Sequence, residues 1–236
     1  MKKILIKVFY FIVPKILFDF FCFLSGYRHF KTSYSQSGED LILLKYLSYK
    51  KIKKGKYLDI GAFHPRWVSN TYLLHKKGFT GYCVDLDEDR LKWFRFARGK
   101  KVKTINGAVS NSHSKYIKVY KFRRKSPFSL IDTTSLDHAE YFKSKSNIDY
   151  EEININNLHI NDIFKEVGKI NVLNIDIEGK DFEIIKSSNL KIIDPEIVLI
   201  EDNSGYFPSH EFSEFFSQNQ YYLIATCGLT KIFGKK

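Results

Sequence analysis

The amino-acid sequence predicts an α/β fold on a doubly wound, mostly parallel sheet, and three features carry that expectation. From residue 56 onward, short apolar segments alternate with amphipathic segments that often end in glycine, which is the rhythm of βαβ units. The strand candidates are near-continuous apolar runs, as strands covered on both faces require. Several of these runs end in an acidic residue or a glycine, and ligands of such sheets bind outside the carboxyl ends of the strands.

Taken in order, the first element is an N-terminal amphipathic helix. Residues 4–24 read ILIKVFYFIVPKILFDFFCFL, the most apolar stretch of the chain. Lys7, Pro14, Lys15 and Asp19 interrupt it, so no uncharged run approaches the ~18–20 residues of a spanning helix. Lys7 also splits the apolar region, and no small-residue cleavage site follows, which fits a signal peptide poorly. On a helical wheel Lys3, Lys7, Lys15 and Asp19 share one arc opposite a wide aromatic and aliphatic face. Such a helix lies on a membrane interface, its lysines meeting anionic headgroups, or packs on protein; both readings stay open. Pro14 starts or kinks it. Residues 1–32 are therefore set apart as an extension. No repeat, low-complexity tract or linker divides residues 33–236, which read as one domain.

Within that domain a helix follows Ser35, with Leu41, Leu44 and Leu47 on one side and Ser37 and Asp40 placed to cap it. Strands are expected at 56–61, 81–87, 102–109, 115–122, 151–155, 170–179 and 196–202. Helices are expected at 69–78, 89–99, 181–188 and 209–218. Residues 221–233 read as an antiparallel hairpin that finishes the sheet.

Composition limits the function classes. With 44% hydrophobic and 27% charged residues, the 236-residue chain is globular. Its 38 Lys and Arg against 26 Asp and Glu leave a net charge of +12, which draws it toward anionic partners. Part of that excess is local: Lys2, Lys3, Lys7, Lys15, Arg28 and Lys31 face only Asp19 in the first 31 residues. Basic runs at 50–54, 98–103 and 118–125 are solvated faces or hold a phosphate-rich substrate. Arg123, Arg124 and Lys125 with Phe122 and Phe128 are candidates for a lid. Cys22, Cys83 and Cys227 form no C-x-x-C pair, which argues against a structural zinc and a disulfide framework. A reducing, cytoplasmic location follows, including the cytoplasmic membrane face.

The strand ends carry the chemistry. Asp59-Ile60-Gly61-Ala62 pairs a carboxylate with a glycine that lets a ligand approach the backbone. Asp85 closes the next strand, where a carboxylate accepts hydrogen bonds from both hydroxyls of a ribose. Acidic strand ends also serve as helix caps, but together the two point to a nucleoside-containing cofactor. A dinucleotide turn normally reads G-x-G-x-x-G. Here it reads Gly61-Ala62-Phe63-His64-Pro65-Arg66, which is poor for a pyrophosphate and suits a cofactor without phosphates, such as S-adenosylmethionine.

From about Tyr34 to the C-terminus the sequence resembles the FkbM-type family of S-adenosylmethionine-dependent methyltransferases. The segments that carry the resemblance are SYSQSGEDLIL (33–43), YLDIGAFHP (57–65), SNTYLLHKKGFTGYCVD (69–85), INVLNIDIEGKDFEIIKS (170–187) and PEIVLIED (195–202). The resemblance implies a Rossmann-like, class I methyltransferase fold. It implies that Asp59, Gly61 and Ala62 contact the methionine end of the cofactor and that Asp85 binds the ribose. Asn106 and Ala108 would then lie beside the adenine, with Gln36 a further contact. Phe63 and His64 stand where the broader pattern has glycine or asparagine.

A sugar hydroxyl is a poor nucleophile until a general base takes its proton. Asp176 is the first candidate and His64 the second, with Asn70, Thr71, Glu178, Glu201 and Asp202 near the substrate. The bland alternatives stay open: Asp176 holding backbone amides of its turn, His64 packing a turn, Glu178 capping the next helix, Asn70 and Thr71 opening theirs. No ligand spacing demands a metal. The leading expectation is O-methylation of a sugar in a bacterial surface polysaccharide (capsule or lipopolysaccharide type) or its nucleotide-linked precursor. The rivals are an RNA methyltransferase, a dinucleotide oxidoreductase and a non-catalytic membrane-associated scaffold; no nucleic-acid-binding module is visible, and an oligomer is compatible with the sequence.

Overall fold

The structure, a computed structural model, describes residues 15–26, 31–122, 132–205 and 207–236. Pro14, Lys3 and Lys7, and the candidate lid residues Arg123, Arg124, Lys125 and Phe128, lie outside them. The chain divides into two units, Met1–Thr32 and Ser33–Lys236. In the first, helix α1 (Lys15–Gly26) exposes Leu17, Phe20, Phe21, Phe23 and Leu24. Among the described residues no helix is long and apolar enough to cross a membrane.

The second unit begins with α2 (Glu39–Tyr49), β1 (Lys56–Ile60), α3 (Tyr72–Lys76), β2 (Thr80–Asp85), α4 (Glu88–Arg98) and β3 (Val102–Asn106). An inserted stretch follows: β4 (Ala108–Ser110), β5 (Tyr116–Phe122), β6 (Asp132–Thr133), α5 (Leu136–Ser146) and β7 (Tyr150–His159). The chain then returns through α6 (Ile160–Val167), β8 (Val172–Ile175), α7 (Asp181–Ser187), α8 (Leu190–Ile193) and β9 (Ile197–Glu201). It closes with α9 (His210–Gln218), β10 (Tyr221–Cys227) and β11 (Thr230–Lys235).

The main sheet has seven strands in the order β10-β11-β9-β8-β1-β2-β3. β3, β2, β1, β8 and β9 run parallel, while β11 is antiparallel to β9 and to β10. This is the doubly wound, Rossmann-like sheet with a terminal hairpin that the sequence predicts. All four residues of β8 are buried, and alternate side chains of the central strands feed two separate cores. Leu58, Ile60, Leu173, Ile175, Val198 and Ile200 pack on Ile163, Phe164, Ile184, Phe212 and Phe216. Tyr57, Cys83, Val172, Ile197 and Leu199 pack on Leu43, Leu47, Leu74, Leu91 and Phe94. A sheet apolar on both faces holds helices on both, which explains the unbroken apolar runs.

The structure corrects the middle of the chain. The strand expected at 102–109 breaks at Gly107, where a Cβ would lie 2.6 Å from the Leu158 side chain. β3 stays in the main sheet, whereas β4 joins a second sheet of order β4-β7-β5-β6. The helix expected at 69–78 shortens to α3, because the preceding residues form a loop on the site. Helices α5, α6 and α8 are new. Chain order reverses between β1 and β8, so the site lies outside the carboxyl ends of those strands.

Candidate active site

Backbone contacts bring the strand ends together first. Gly61 and Ala62 donate their amides to Val84 O at 2.9 and 3.0 Å, and Asp176 N donates to Ile60 O at 2.9 Å. Gly61 has φ 81, and a Cβ there would sit 1.6 Å from the Asp176 carbonyl oxygen. Only glycine fits between the two chain segments. A cavity of about 580 Å³ opens at this junction. Its walls include Gln36, Asp59, Gly61, Ala62, His64, Asn70, Asp85, Ala108, Asp176, Glu178 and Glu201. Eleven of the fourteen sequence-predicted site residues therefore share one cavity, and three do not.

Two of these, Thr71 and Asn106, brace the wall from behind. Thr71 is fully buried; its hydroxyl donates to Asp59 Oδ2 and accepts from Arg98 Nη1 at 2.9 Å. Asn106 Nδ2 donates to the carbonyls of Asp85 and Leu86, both at 3.1 Å, and so shapes the turn after β2. Asp202 also moves away from a substrate role. Its carboxylate accepts the amides of Ser204 at 2.9 Å and Ser209 at 3.3 Å, tying down a loop.

On the β1–β2 wall the carboxylates are held by donors. Asp59 accepts from Thr71 Oγ1 and, at 2.9 Å, from Asn174 Nδ2, whose own amide oxygen accepts from Asn70 Nδ2 at 2.9 Å. Burial raises the Asp59 pKa, against the lowering effect of Arg98 and the two hydrogen bonds. Behind it, buried Arg98 donates to Pro65 O, Tyr57 Oη, Thr71 Oγ1 and Ser69 Oγ at 2.8–2.9 Å. One guanidinium thus fixes the 65–71 loop against β1. Asp85 Oδ1 accepts Asp87 N at 2.7 Å, and Arg90 Nη1 lies 3.6 Å from Oδ2. Burial pushes the Asp85 carboxyl up to about 7, with Arg90 opposing. Arg90 also binds Asp132 of β6 at 2.9 Å and lies over the Phe63 ring. Sequence reasoning missed Asn174, Arg98, Arg90 and Asp132, since their contacts join distant segments that no local pattern reports.

His64 does a different job from the base predicted for it. Its Nδ1 accepts the backbone amides of Arg66 and Trp67, both at 3.1 Å. In the neutral ring the proton then sits on Nε2, a donor. Protonating Nδ1 would break both backbone bonds, and the pKa lies at about 4 through burial and the positive charges of Arg98 and Arg66. His64 is suited to donating a hydrogen bond, not to removing a proton.

The β8–β9 wall is the opposite case. The turn Ile177-Glu178-Gly179 is capped by Asp181, whose carboxylate accepts Ile177 N at 2.9 Å and Gly179 N at 3.1 Å. Holding the amides of this turn, the role the sequence leaves open for Asp176, thus belongs to Asp181, while the helix-capping role left open for Glu178 is not filled, since Lys180 is the N-cap of α7 and makes no side-chain cap hydrogen bond. Asp176 has no hydrogen-bond partner for its carboxylate among the described residues. Its side chain is exposed to the open cavity, and its position at the strand end deep among the surrounding elements, followed by the like charges of Glu178, Glu201, Asp181 and Asp59, raises its pKa above the usual range. Burial likewise pushes Glu201 up to about 8, with Asp181 and Glu178 adding to the shift. Glu201 Oε2 is buried without a hydrogen-bond partner.

Six carboxylates line the cavity (Asp59, Asp85, Asp132, Asp176, Glu178 and Glu201), and Arg90 is the single Lys or Arg among the described lining residues. An acidic lining inside a protein of net charge +12 suits a cationic ligand. S-adenosylmethionine carries a sulfonium and an ammonium, so the residues present fit it.

The methyltransferase FkbM domain matches residues 59–223. The sequence matches none of the curated proteins. Among solved structures, the chain is similar to a TehB-like SAM-dependent methyltransferase from Corynebacterium glutamicum, at 11% identity and a TM-score of 0.41, covering 85% of this chain and 88% of that one. It is also similar to TehB from Haemophilus influenzae, at 12% identity and a TM-score of 0.35, covering 83% of this chain and 62% of that one. With the family matched over most of its length and a cavity suited to a cationic cofactor at the switch point, the chain belongs to the FkbM methyltransferase family, and S-adenosylmethionine is its cofactor.

Proposed function

We propose that the protein methylates a hydroxyl of a sugar, in a bacterial surface polysaccharide or its nucleotide-linked precursor. The observation that carries this reading is the Asp176 carboxylate, which opens on the cavity, lacks a hydrogen-bond partner among the described residues and has a raised proton affinity. A carboxyl with raised proton affinity is a stronger general base for an alcohol. When bound, S-adenosylmethionine supplies an electrophilic methyl on a sulfonium sulfur. Asp59, Gly61 and Ala62 would hold its methionine end, Asp85 its ribose and Ala108 the adenine side, with Gln36 a further contact. Asp176 takes the hydroxyl proton as the oxygen attacks, while Glu178 and Glu201 accept hydrogen bonds from neighbouring hydroxyls. Positioning does much of the rest, because an in-line displacement needs two reactants held in register.

The lining also favours a neutral polyol over a polyanion. Phosphates of a nucleic acid would meet six carboxylates there, so any phosphate of a nucleotide-linked acceptor stays outside the cavity. Part-exposed Trp67, its ring 4.1 Å from that of His64 and 5.9 Å from that of Phe63, gives the cavity an aromatic wall on which the apolar face of a sugar ring can rest. The exposed phenylalanines and leucines of α1 support a second part of the reading, peripheral contact with an anionic membrane face.

Incubation with labelled S-adenosylmethionine and a panel of nucleotide sugars and surface glycans tests the proposal. A gain of one methyl on a glycan hydroxyl is the expected result. Methylation of RNA instead, with binding that falls steeply with salt, would replace it with the nucleic-acid reading. Cofactor binding without any turnover would favour a scaffold.

A further inference from the structure

Glu178 is held in an uncommon shape by a residue that does not itself line the cavity. Its backbone has φ 60, in the left-handed region that residues with side chains rarely occupy. Two donors from the inserted stretch fasten it there: Thr133 Oγ1 and His138 Nδ1 each lie 2.6 Å from the Glu178 carbonyl oxygen. A carbonyl only accepts, so Nδ1 of His138 carries a proton, and the lone pair of the neutral ring is on Nε2. That nitrogen lies 3.9 Å from Glu178 Oε2. Gly179 completes the fit, since a Cβ there would sit 2.9 Å from His138 Nδ1. One imidazole therefore grips the backbone and faces the carboxylate of the same residue.

We propose that His138 is a positioning residue of the methyl-transfer site, anchoring the Glu178 peptide through Nδ1 and setting the charge of the Glu178 carboxylate through Nε2. The proposal rests on the reading that Glu178 meets the acceptor. The other charged groups that act on Glu178, or on which it acts, are Asp181 of α7, Arg90 of α4, Asp132 of β6, Asp176 beyond β8 and Glu201 of β9. Among all of these, His138 is the one that touches both the backbone carbonyl and the carboxylate side of Glu178. Burial, Asp181 and Asp132 raise the proton affinity of Glu178, whereas His138 and Arg90 lower it. Charged His138 keeps Glu178 ionised, a pure acceptor for substrate hydroxyls. Neutral His138 lets Glu178 retain a proton and donate it.

Two variants of the full chain separate the two roles. In His138→Asn the side-chain amide still reaches the Glu178 carbonyl but does not titrate, and His138→Ala removes both functions. The measurement is carbon-detected NMR titration of the glutamate carboxyls, with Glu178 assigned by its loss in Glu178→Gln. It needs no acceptor, so its outcome is independent of which molecule is methylated. In His138→Asn the midpoint of the Glu178 carboxyl should lie about 0.5 pH unit above that of the parent protein, as for a half-exposed ion pair. The Glu178 backbone shifts should stay in place in His138→Asn and move in His138→Ala. A Glu178 titration identical in the parent and His138→Asn overturns the electrostatic role. Unmoved backbone shifts in a folded His138→Ala overturn the anchoring role; if that variant does not fold, unmoved shifts in His138→Phe, which keeps a ring but has no donor, do so.

Discussion

On the β1–β2 side of the cavity, Asp59 and Asp85 are met by a threonine hydroxyl, an asparagine amide, a backbone amide and two guanidinium groups. On the β8–β9 side, Asp176 and Glu201 face one another's charge, and the available backbone amides go to Asp181 instead. Both sides are acidic and both have raised pKa values, yet the physical situations differ. Satisfied carboxylates are rigid and present a fixed surface to a cofactor. A carboxylate without donors has a high affinity for a proton, which is what proton removal from an alcohol needs. The contrast teaches that acidity alone does not mark a base; the distribution of donors does.

The strongest way to break this contrast is Asp176→Asn. Turnover should fall about 10²–10⁴-fold with cofactor affinity changed much less, as read by steady-state kinetics and calorimetry. Near-normal turnover would remove the chemical role from the β8 side, and His64 would not inherit it, because its Nδ1 is engaged by two backbone amides.

Arg98→Ala should be felt in folding first. It strips four close hydrogen bonds from a buried guanidinium and leaves Asp59 less compensated, at a cost of about 3–5 kcal/mol in urea denaturation. A cost under about 1 kcal/mol, the surface ion-pair value, would mean that the β1–β2 wall does not depend on it.

The pH dependence follows from the signs. A carboxyl whose folded pKa lies above its unfolded value near 4 keeps a proton that the unfolded chain has already released. Its stabilising contribution is complete below about pH 4 and is lost as the pH rises through the folded pKa. With Asp85 at about 7, Glu201 at about 8 and Asp176 raised, the cofactor-free protein should lose stability between about pH 4 and 8. Asp85 alone contributes on the order of 2–4 kcal/mol, several degrees in Tm. The cationic cofactor should flatten that slope. Calorimetric scans at pH 5 and 8 with and without S-adenosylmethionine check it, and equal Tm values without cofactor would mean that these carboxyls ionise freely.

Asp85→Ala is the mildest test and probes the satisfied side directly. Loss of hydrogen bonds from a charged group should weaken S-adenosylmethionine binding about ten- to a hundredfold, or about 1.5–3 kcal/mol. Unchanged affinity on calorimetry would assign the ribose to another residue.

Much of this architecture was legible without coordinates. The parallel strands β1, β2, β8 and β9, the glycine after β1 and the terminal hairpin follow from apolar runs and turn residues, because burial on two faces and tight turns leave local marks. Asp59, Asp85 and Asp176 were legible as strand-end carboxylates. Their division of labour was not, because the nearest donors come from far along the chain: Asn174 to Asp59 spans 115 residues and Arg90 to Asp132 spans 42.

The sequence by itself determined a doubly wound sheet, a site outside the strand ends and a cofactor without phosphates, since periodicity and turn chemistry are local. Only the tertiary structure decided that Gly107 divides one apolar run between two sheets, that Thr71 and Asn106 support the wall instead of lining it, and that His64 is a donor. It alone placed Asp181 on the amides that would have quenched Asp176, and His138 behind Glu178. The physical reason is that a side chain's character is set by what surrounds it in space: His138 and Glu178 lie 40 residues apart, and even near neighbours such as Asp181 and Ile177 are brought together by the shape of a turn that sequence spacing does not specify.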